Sequence, residues 1–198
     1  MATYNAIAAT SEAIRQYLKE APREEFPQLD VVLYQPGDFQ KSVPTGGLVS
    51  LFLYRVGVNR RNLPPTRSPD QSTRFRPPVA VDLFYLVSAW ALNADFQQRL
   101  LGWAVRTLED CPILPAAMLN RLQAEEVFRT TEAVEISCEP PSLQDLNFIW
   151  ELIKPNPPPL SISYVARMVE MESRVPLREG ALVQARGFGG KEPPDDRA

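Results

Sequence analysis

The sequence predicts an α+β domain, a mostly antiparallel sheet of about five strands with helices packed on it. Three observations carry that reading. Two long runs, 48–58 and 79–90, are rich in β-branched and aromatic residues, the composition of strands. Segments 95–110 and 142–153 repeat apolar residues at helical spacing. Prolines stand between these segments rather than inside them, so each element is bounded.

Taken in order, residues 4–20 place Ile7, Ser11, Ile14, Tyr17 and Leu18 on one helical stripe with Pro22 just beyond, which predicts an amphipathic helix. A short strand follows at 31–34, and Gln35-Pro36-Gly37-Asp38 and Pro44-Thr45-Gly46-Gly47 are turns. Residues 48–58 are apolar on both alternations, as in a strand covered on both faces or lying at an interface. Residues 59–78 hold Pro64-Pro65, Pro69 and Pro77-Pro78 and predict a long loop. Residues 79–90 return as a strand, so the two runs make a wide hairpin. Pairing Val58 with Val79 then sets Arg55 opposite Asp82, a structural ion pair that accounts for an aspartate in an apolar strand.

Asp95, with Gln98 three residues on, resembles a capping box ahead of the stripe Phe96, Leu100, Leu101, Trp103, Ala104 and Leu108; Pro112 and Pro115 end that helix. Residues 116–122 predict a further helical turn or two, and 134–138 alternate as a strand closed by Pro140-Pro141. Ser142 with Asp145 caps a second helix, whose stripe is Leu143, Leu146, Ile149, Trp150 and Ile153 and whose stop is Pro155. Pro157-Pro158-Pro159 stiffens entry to the last strand, in which Leu160, Ile162, Tyr164, Ala166 and Met168 share one face against Ser161, Ser163 and Arg167. The predicted organisation is a single domain over 1–175 and a flexible tail over 176–198, where glycine and charge accumulate.

Composition narrows the chemistry. The chain has no histidine, which removes Ser-His-Asp and Cys-His catalysis and the commonest zinc ligand. Carboxylate and lysine mechanisms stay open, but Glu24-Glu25, Glu125-Glu126 and Asp195-Asp196 are adjacent in sequence and point apart on any regular element. Gly46-Gly47 leads into a strand without a lysine partner, so it is a turn and no phosphate loop. The sequence therefore predicts no enzyme, no cofactor and no metal. Cys111 and Cys138 are expected as unlinked thiols. No apolar run approaches the ~20 residues that span a bilayer, and the first residues lack the pattern of a secretory signal, which predicts a chain that stays in the cytoplasm where it is made.

With 21 basic against 24 acidic residues the whole chain is no polycation, so any charge-driven contact has to be local. The local anomaly is Arg55, Arg60, Arg61, Arg67, Arg74 and Arg76, opposed within that stretch only by Asp70 and, beyond it, by Asp82. Such a loop either grips an acidic protein rim or a phosphate backbone, or is merely kept soluble by its charges. Loops of about twenty residues inside a compact domain are uncommon and are more often functional or disordered. A nucleic-acid-binding module built on 55–76 is the alternative function this cluster allows. Trp103 and Trp150 lie on helical stripes and predict core packing, whereas Trp90 suits either core or interface.

Several of these segments resemble the cap, or tail-terminator, family of extracellular contractile injection systems. The carriers are Tyr4-Asn5-Ala6-Ile7, residues 79–90 with Asp82, Leu100-Leu101-Gly102 leading to Pro112-Ile113-Leu114, and residues 146–152 and 161–167, so that the likeness covers about 4–171. The family often carries a histidine near the second helix, and its absence here argues against a catalytic role for it. The resemblance implies a phage tail-terminator-like fold. It also implies a homo-oligomeric ring, a hexamer in the usual case, seated on the last layer of inner tube protein and sheath protein, which stops polymerisation and holds the extended particle. On that implication the basic loop, Arg60 and Arg61 above all, meets the tube or a neighbouring subunit, and the chain after Met171 reaches toward the sheath. Neither a membrane nor nucleic acid is an expected partner of such a cap, which is made in the cytoplasm of the producing bacterium and leaves as part of the released particle.

Overall fold

Helix α1 (Ala6–Glu20) leads through a turn into strand β1 (Asp30–Tyr34), a 3₁₀ turn (Pro36–Gln40) and the long strands β2 (Leu48–Asn59) and β3 (Val79–Trp90). Helix α2 (Ala94–Glu109), the short strand β4 (Ile113–Pro115), the single turn α3 (Ala116–Leu119), strand β5 (Ala133–Cys138), helix α4 (Leu143–Ile153) and strand β6 (Leu160–Met171) complete the chain. The computed structural model describes residues 4–59, 63–67, 72–154 and 158–177, with Leu152 described by its backbone alone.

The strands form one six-stranded sheet in the order β1-β2-β3-β6-β5-β4. Only β1–β2 is parallel; every other pair is antiparallel. The expected architecture holds with one strand more than anticipated. That extra strand is β4, three residues long, too short for alternation to show in the sequence.

Both faces of the sheet are covered, which explains why β2 and β3 are apolar on both alternations. One face carries α1, α2 and α3 over Val49, Leu51, Leu83, Tyr85, Val87 and Tyr164. Helix α1 turns small residues (Ala6, Ala9, Thr10, Ser11, Ala13) toward the sheet, so its axis lies close, and the Ser11 and Tyr85 hydroxyls share a buried hydrogen bond of 2.8 Å. On the other face the 3₁₀ turn and α4 cover Leu48, Phe52, Leu86 and Trp90 with Phe39, Ile149 and Ile153. Phe39 sits among Tyr34, Phe52 and Trp90 at ring separations of 5.2, 5.2 and 5.7 Å, and the Trp90 indole donates to Ser50 Oγ at 2.8 Å. Trp90 is therefore a core residue.

Three local expectations are corrected by the backbone. Helix α2 is capped by Asn93, whose extended backbone (φ −133°, ψ 155°) lets its side chain accept from the Phe96 N–H; Asp95 lies inside the first turn and pairs with Arg99 instead. The β2–β3 register pairs Val58 with Val81 and Gly57 with Asp82; the inner strands are already one residue off the expected register, and Tyr54, an extra residue bulged between Leu53 and Arg55, adds a second step. Arg55 thus lies across from Phe84, its guanidinium carbon 3.7 Å from the ring centroid, and the expected Arg55–Asp82 pairing is not formed. In β6, Met168 does not continue the buried face of Tyr164 and Ala166; Val169 does. A second bulge sets Arg167 and Met168 against the single residue Asp82, with Met168 in the left-handed region (φ 58°). By contrast, the Ser142 cap forms as the sequence predicts, its Oγ accepting from the Asp145 N–H.

Asp82 is explained by that second bulge. Its Oδ1 accepts the Met168 N–H at 2.9 Å, and its Oδ2 accepts the Asn59 side-chain amide at 3.2 Å. One carboxylate ties the end of β2, the start of β3 and the bulge of β6. A left-handed non-glycine residue costs about 1–2 kcal/mol, which a charged acceptor on its N–H, contributing about 1.5–3 kcal/mol, offsets. Asp82→Ala should lower stability by roughly 1.5–3 kcal/mol in urea unfolding, and Asp82→Asn, which keeps the acceptor, by clearly less; equal losses would mean that the bulge does not depend on this bond.

Candidate assembly interface

The end of the sheet where β2 leaves and β3 enters differs from the rest of the surface. Strand β1 pairs β2 only from Leu48 to Phe52, so among the described residues the outer edge of β2 carries no strand over the remainder of its length. That free half exposes Val56 and Val58, and Val79 opens beside them. Large apolar side chains on an unpaired strand edge make a candidate docking surface, since none of the described residues covers them.

Beyond this edge the loop is organised. The Phe75 N–H donates to the Thr66 carbonyl at 2.8 Å, and Arg67 and Arg74 are paired across this short antiparallel ladder. The chain leaving β6 then joins it: the Arg76 N–H donates to the Val175 carbonyl at 3.0 Å and the Leu177 N–H to the Arg74 carbonyl at 2.7 Å. Segment 174–177 is thus part of the arginine loop's own framework, and the tail predicted from 176 begins as ordered backbone for two residues; from 178 onward it lies outside the described residues. Arg67 and Arg76 are exposed and Arg74 is half-buried. Arg60 and Arg61 lie outside the described residues. Of the six arginines singled out in the sequence, the fold brings Arg67, Arg74 and Arg76 together and sets Arg55 apart on Phe84. Described segments 63–67 and 72–78 contain no acidic residue.

Next to that basic ladder lies an open acidic cleft of about 700 Å³, lined by Glu125, Glu126 and Glu172 with Tyr4 and Arg174 at its rim. The Glu172 side chain is only 5% exposed. One of its oxygens pairs with Arg129, and the other has no hydrogen-bond partner. Burial pushes the Glu172 carboxyl above its ordinary value; Arg129 pulls it down and Glu132 pushes it up again. Burial likewise raises Glu170, with Glu132 and Glu172 adding to it. Sequence reasoning missed this cleft because Glu125-Glu126 was weighed only as an adjacent pair, and its convergence with Glu172 is a property of the fold.

A second surface that the sequence did not disclose is a groove of about 440 Å³ between the sheet and α4, lined by Phe52, Tyr54, Phe84, Pro140, Pro141 and Phe148, with Arg55 at its side. Phe148 is 67% exposed, and Leu143, expected on the buried stripe, is 81% exposed at the first position of its helix. Among the described residues no group of three or more histidine, cysteine or acidic side chains is placed to hold a metal ion, and no helix is long and apolar enough to cross a membrane. Both cysteines are free thiols.

Comparison with known proteins puts this architecture in context. The profile of the Pvc16 N-terminal domain matches residues 9–185, further toward the C-terminus than Met171. Among solved structures, the fold is similar to the sheath/tube terminator of PVC, an extracellular contractile injection system, in its extended state: the TM-score is 0.59 at 15% identity, over 96% of this chain and 64% of that one. The tube-terminating cap of the anti-feeding prophage is similar at a TM-score of 0.49 and 16% identity, over 91% of this chain and 61% of that one. The chain thus spans somewhat under two thirds of the length of these proteins. No curated protein matches the sequence.

The raised carboxyls generate a pH prediction. A carboxyl raised by folding keeps a proton that the unfolded chain releases, so its contribution to stability is present below the ordinary value of 4.5 and is lost as pH climbs through the raised value. The urea midpoint of the wild type should fall more steeply from pH 4.5 toward neutrality than that of Glu172→Gln; parallel profiles would show that this carboxyl does not titrate differently on folding.

Proposed function

The chain belongs to the family of Pvc16 N-terminal domains, and on that premise we propose that it is a structural cap, a tail terminator, of a contractile injection system. In this reading several copies, six in the usual arrangement, form a ring on the end of the inner tube and sheath, stop further polymerisation and stabilise the extended particle. The observation that carries it is the fold shared with a sheath/tube terminator along nearly all of this chain. The protein acts by shape and charge and makes or breaks no bond.

The sheet supports such a role through the inequality of its edges. At the β4 side it ends in three residues closed by Pro115, which has no N–H to donate, so that edge is a poor template for a further strand. At the β2 side the free half-edge, the exposed valines and the arginine ladder form a surface that still needs a partner. A terminator needs this asymmetry: one surface must accept the end of a polymer while another refuses the next layer.

The partners in this reading are the inner tube protein, the sheath protein and further copies of the chain. Arg60, Arg61, Arg67, Arg74 and Arg76, with Arg55 at the base of the loop, meet the tube or a neighbouring subunit. The domain ends near 175, and the chain beyond Leu177 extends toward the sheath. The protein is made in the cytoplasm of the producing bacterium and leaves with the particle.

Particles assembled without this chain should have long, unregulated tubes by electron microscopy, and adding it back should narrow the length distribution. Charge reversal at Arg60 and Arg61 should reproduce most of the loss. A normal length distribution from that variant would remove those two arginines from the contact. Truncation after Leu177 should leave the fold intact and weaken retention on sheath-bearing particles; undiminished capping would detach the tail from the sheath.

A further inference from the structure

We infer that the end of the sheet where β2 leaves, β3 enters and β6 finishes is the contact between copies of this chain, Arg67 and Arg76 of one copy meeting the acidic cleft of Glu125, Glu126 and Glu172 on another. This rests on the ring reading above and specifies the subunit contact within it.

Four observations carry it. First, the two charges lie side by side on one end of the molecule without neutralising each other. Arg67, Arg76, Glu125 and Glu126 are all exposed, and among the described residues none of them makes an ion pair. Second, the same end exposes apolar and aromatic surface beside the charges: Tyr4, which lines the cleft, is 77% exposed, Val58 66% and Val175 50%. Apolar ground beside complementary charge is the anatomy of a protein contact rather than of a solvated face. Third, the cleft holds a nearly buried carboxylate with one oxygen unpartnered. That oxygen is closed off from the surface, so Glu172 adds its charge from beneath while the exposed Glu125 and Glu126 are the groups an incoming guanidinium touches. Fourth, the described basic segments lack any acid of their own, whereas three carboxylates outnumber Arg174 at the cleft.

A second copy is the occupant these features select. The basic half and the acidic half match each other, so any copy of the chain brings the complement of both. A different protein would need to match two opposite patches separately. The tube end then contacts another part of the ring, and the charges set subunit order and spacing.

Complementation of charge tests this. The full chain is examined by sedimentation velocity at low and high salt, as wild type, as Arg67→Glu/Arg76→Glu, as Glu125→Arg/Glu126→Arg, and as an equimolar mixture of the two variants. All four positions are exposed, so thermal melting should be unchanged and folding is not in question. The wild type should self-associate and dissociate as salt rises. Each variant alone should associate at least about tenfold more weakly, since it confronts like charges with each other. The mixture, in which one copy is acidic on both halves and the other basic on both, should recover association. A variant that self-associates as the wild type does, a mixture that fails to recover, or a wild type that stays monomeric overturns the inference. Binding of the same wild type to purified tube ends separates the two ideas: capping without this contact leaves the cap reading standing, and absence of capping removes that reading instead.

Discussion

The carboxylate of Asp82 fixes the geometry on which the candidate interface depends. Strand β6 must change alternation at Met168, because Val169 and not Met168 returns to the core beside Val81. That change requires a left-handed residue with its N–H aimed across the sheet, and Asp82 receives it while holding Asn59 at the end of β2. The strands that launch and receive the arginine loop are thereby locked together where the loop departs. Segment 174–177, which runs on from β6, inherits its direction from the bulge and so meets the loop at Arg74 and Arg76. Without the bulge the side chains after Met168 would fall on the opposite face, and the residues that meet the arginine loop would be shifted by one.

The rest of the sheet makes that end rigid. Strands β2 and β3 are buried on both faces over their shared inner halves, under α1 and α2 on one side and under Phe39 and α4 on the other. Burial on two faces removes the tolerance for slippage that a one-sided hairpin has, since any shift would expose large side chains on both surfaces. Coverage ends where β1 ends, near Phe52, and the outer half of β2 emerges with valines in the open. A stiff platform with an uncovered tip suits a protein whose task is to present a surface in a fixed place.

Much of this was legible in the sequence, and the parts that were not share a physical cause. Long periodic or continuous runs declared themselves: β3 has the bounds read from its composition, and the Ser142 cap was visible because serine, aspartate and a following apolar stripe stood in the right order. The bulges were invisible, because one inserted residue, Tyr54 or Met168, leaves no trace in composition while it moves the register and the face of everything beyond it. The Tyr54 bulge moves Arg55 from Leu83 to Phe84; the expected pairing with Asp82 was a further residue away because the length of the loop was misjudged. Helix α2 offered Asn93 and Asp95 as rival caps, and only backbone dihedrals choose between them. At the candidate site the wealth of arginine was legible, but its ladder with Val175 and the convergence of Glu125, Glu126 and Glu172 join segments far apart in the chain, and no local pattern records such meetings.

Under the cap reading proposed above, the two edges of the sheet bear on how this chain would stop growth instead of continuing it. A polymer subunit needs donor and acceptor surfaces that match in repeat, so that each addition recreates the site it consumed. Here the sheet is blunted at β4 by Pro115, whereas the opposite side is left open at β2, and the opposite charges meet at the end of the sheet where β6 finishes. Opposite charges on one molecule favour lateral association with its own kind, which closes when the angles close and then consumes every such surface. A closed ring leaves no copy of the open edge facing outward, and the blunted edge offers the next layer nothing to pair with. Termination in that case needs no separate signal: it follows from spending the adhesive surface sideways, around the ring, rather than along the axis.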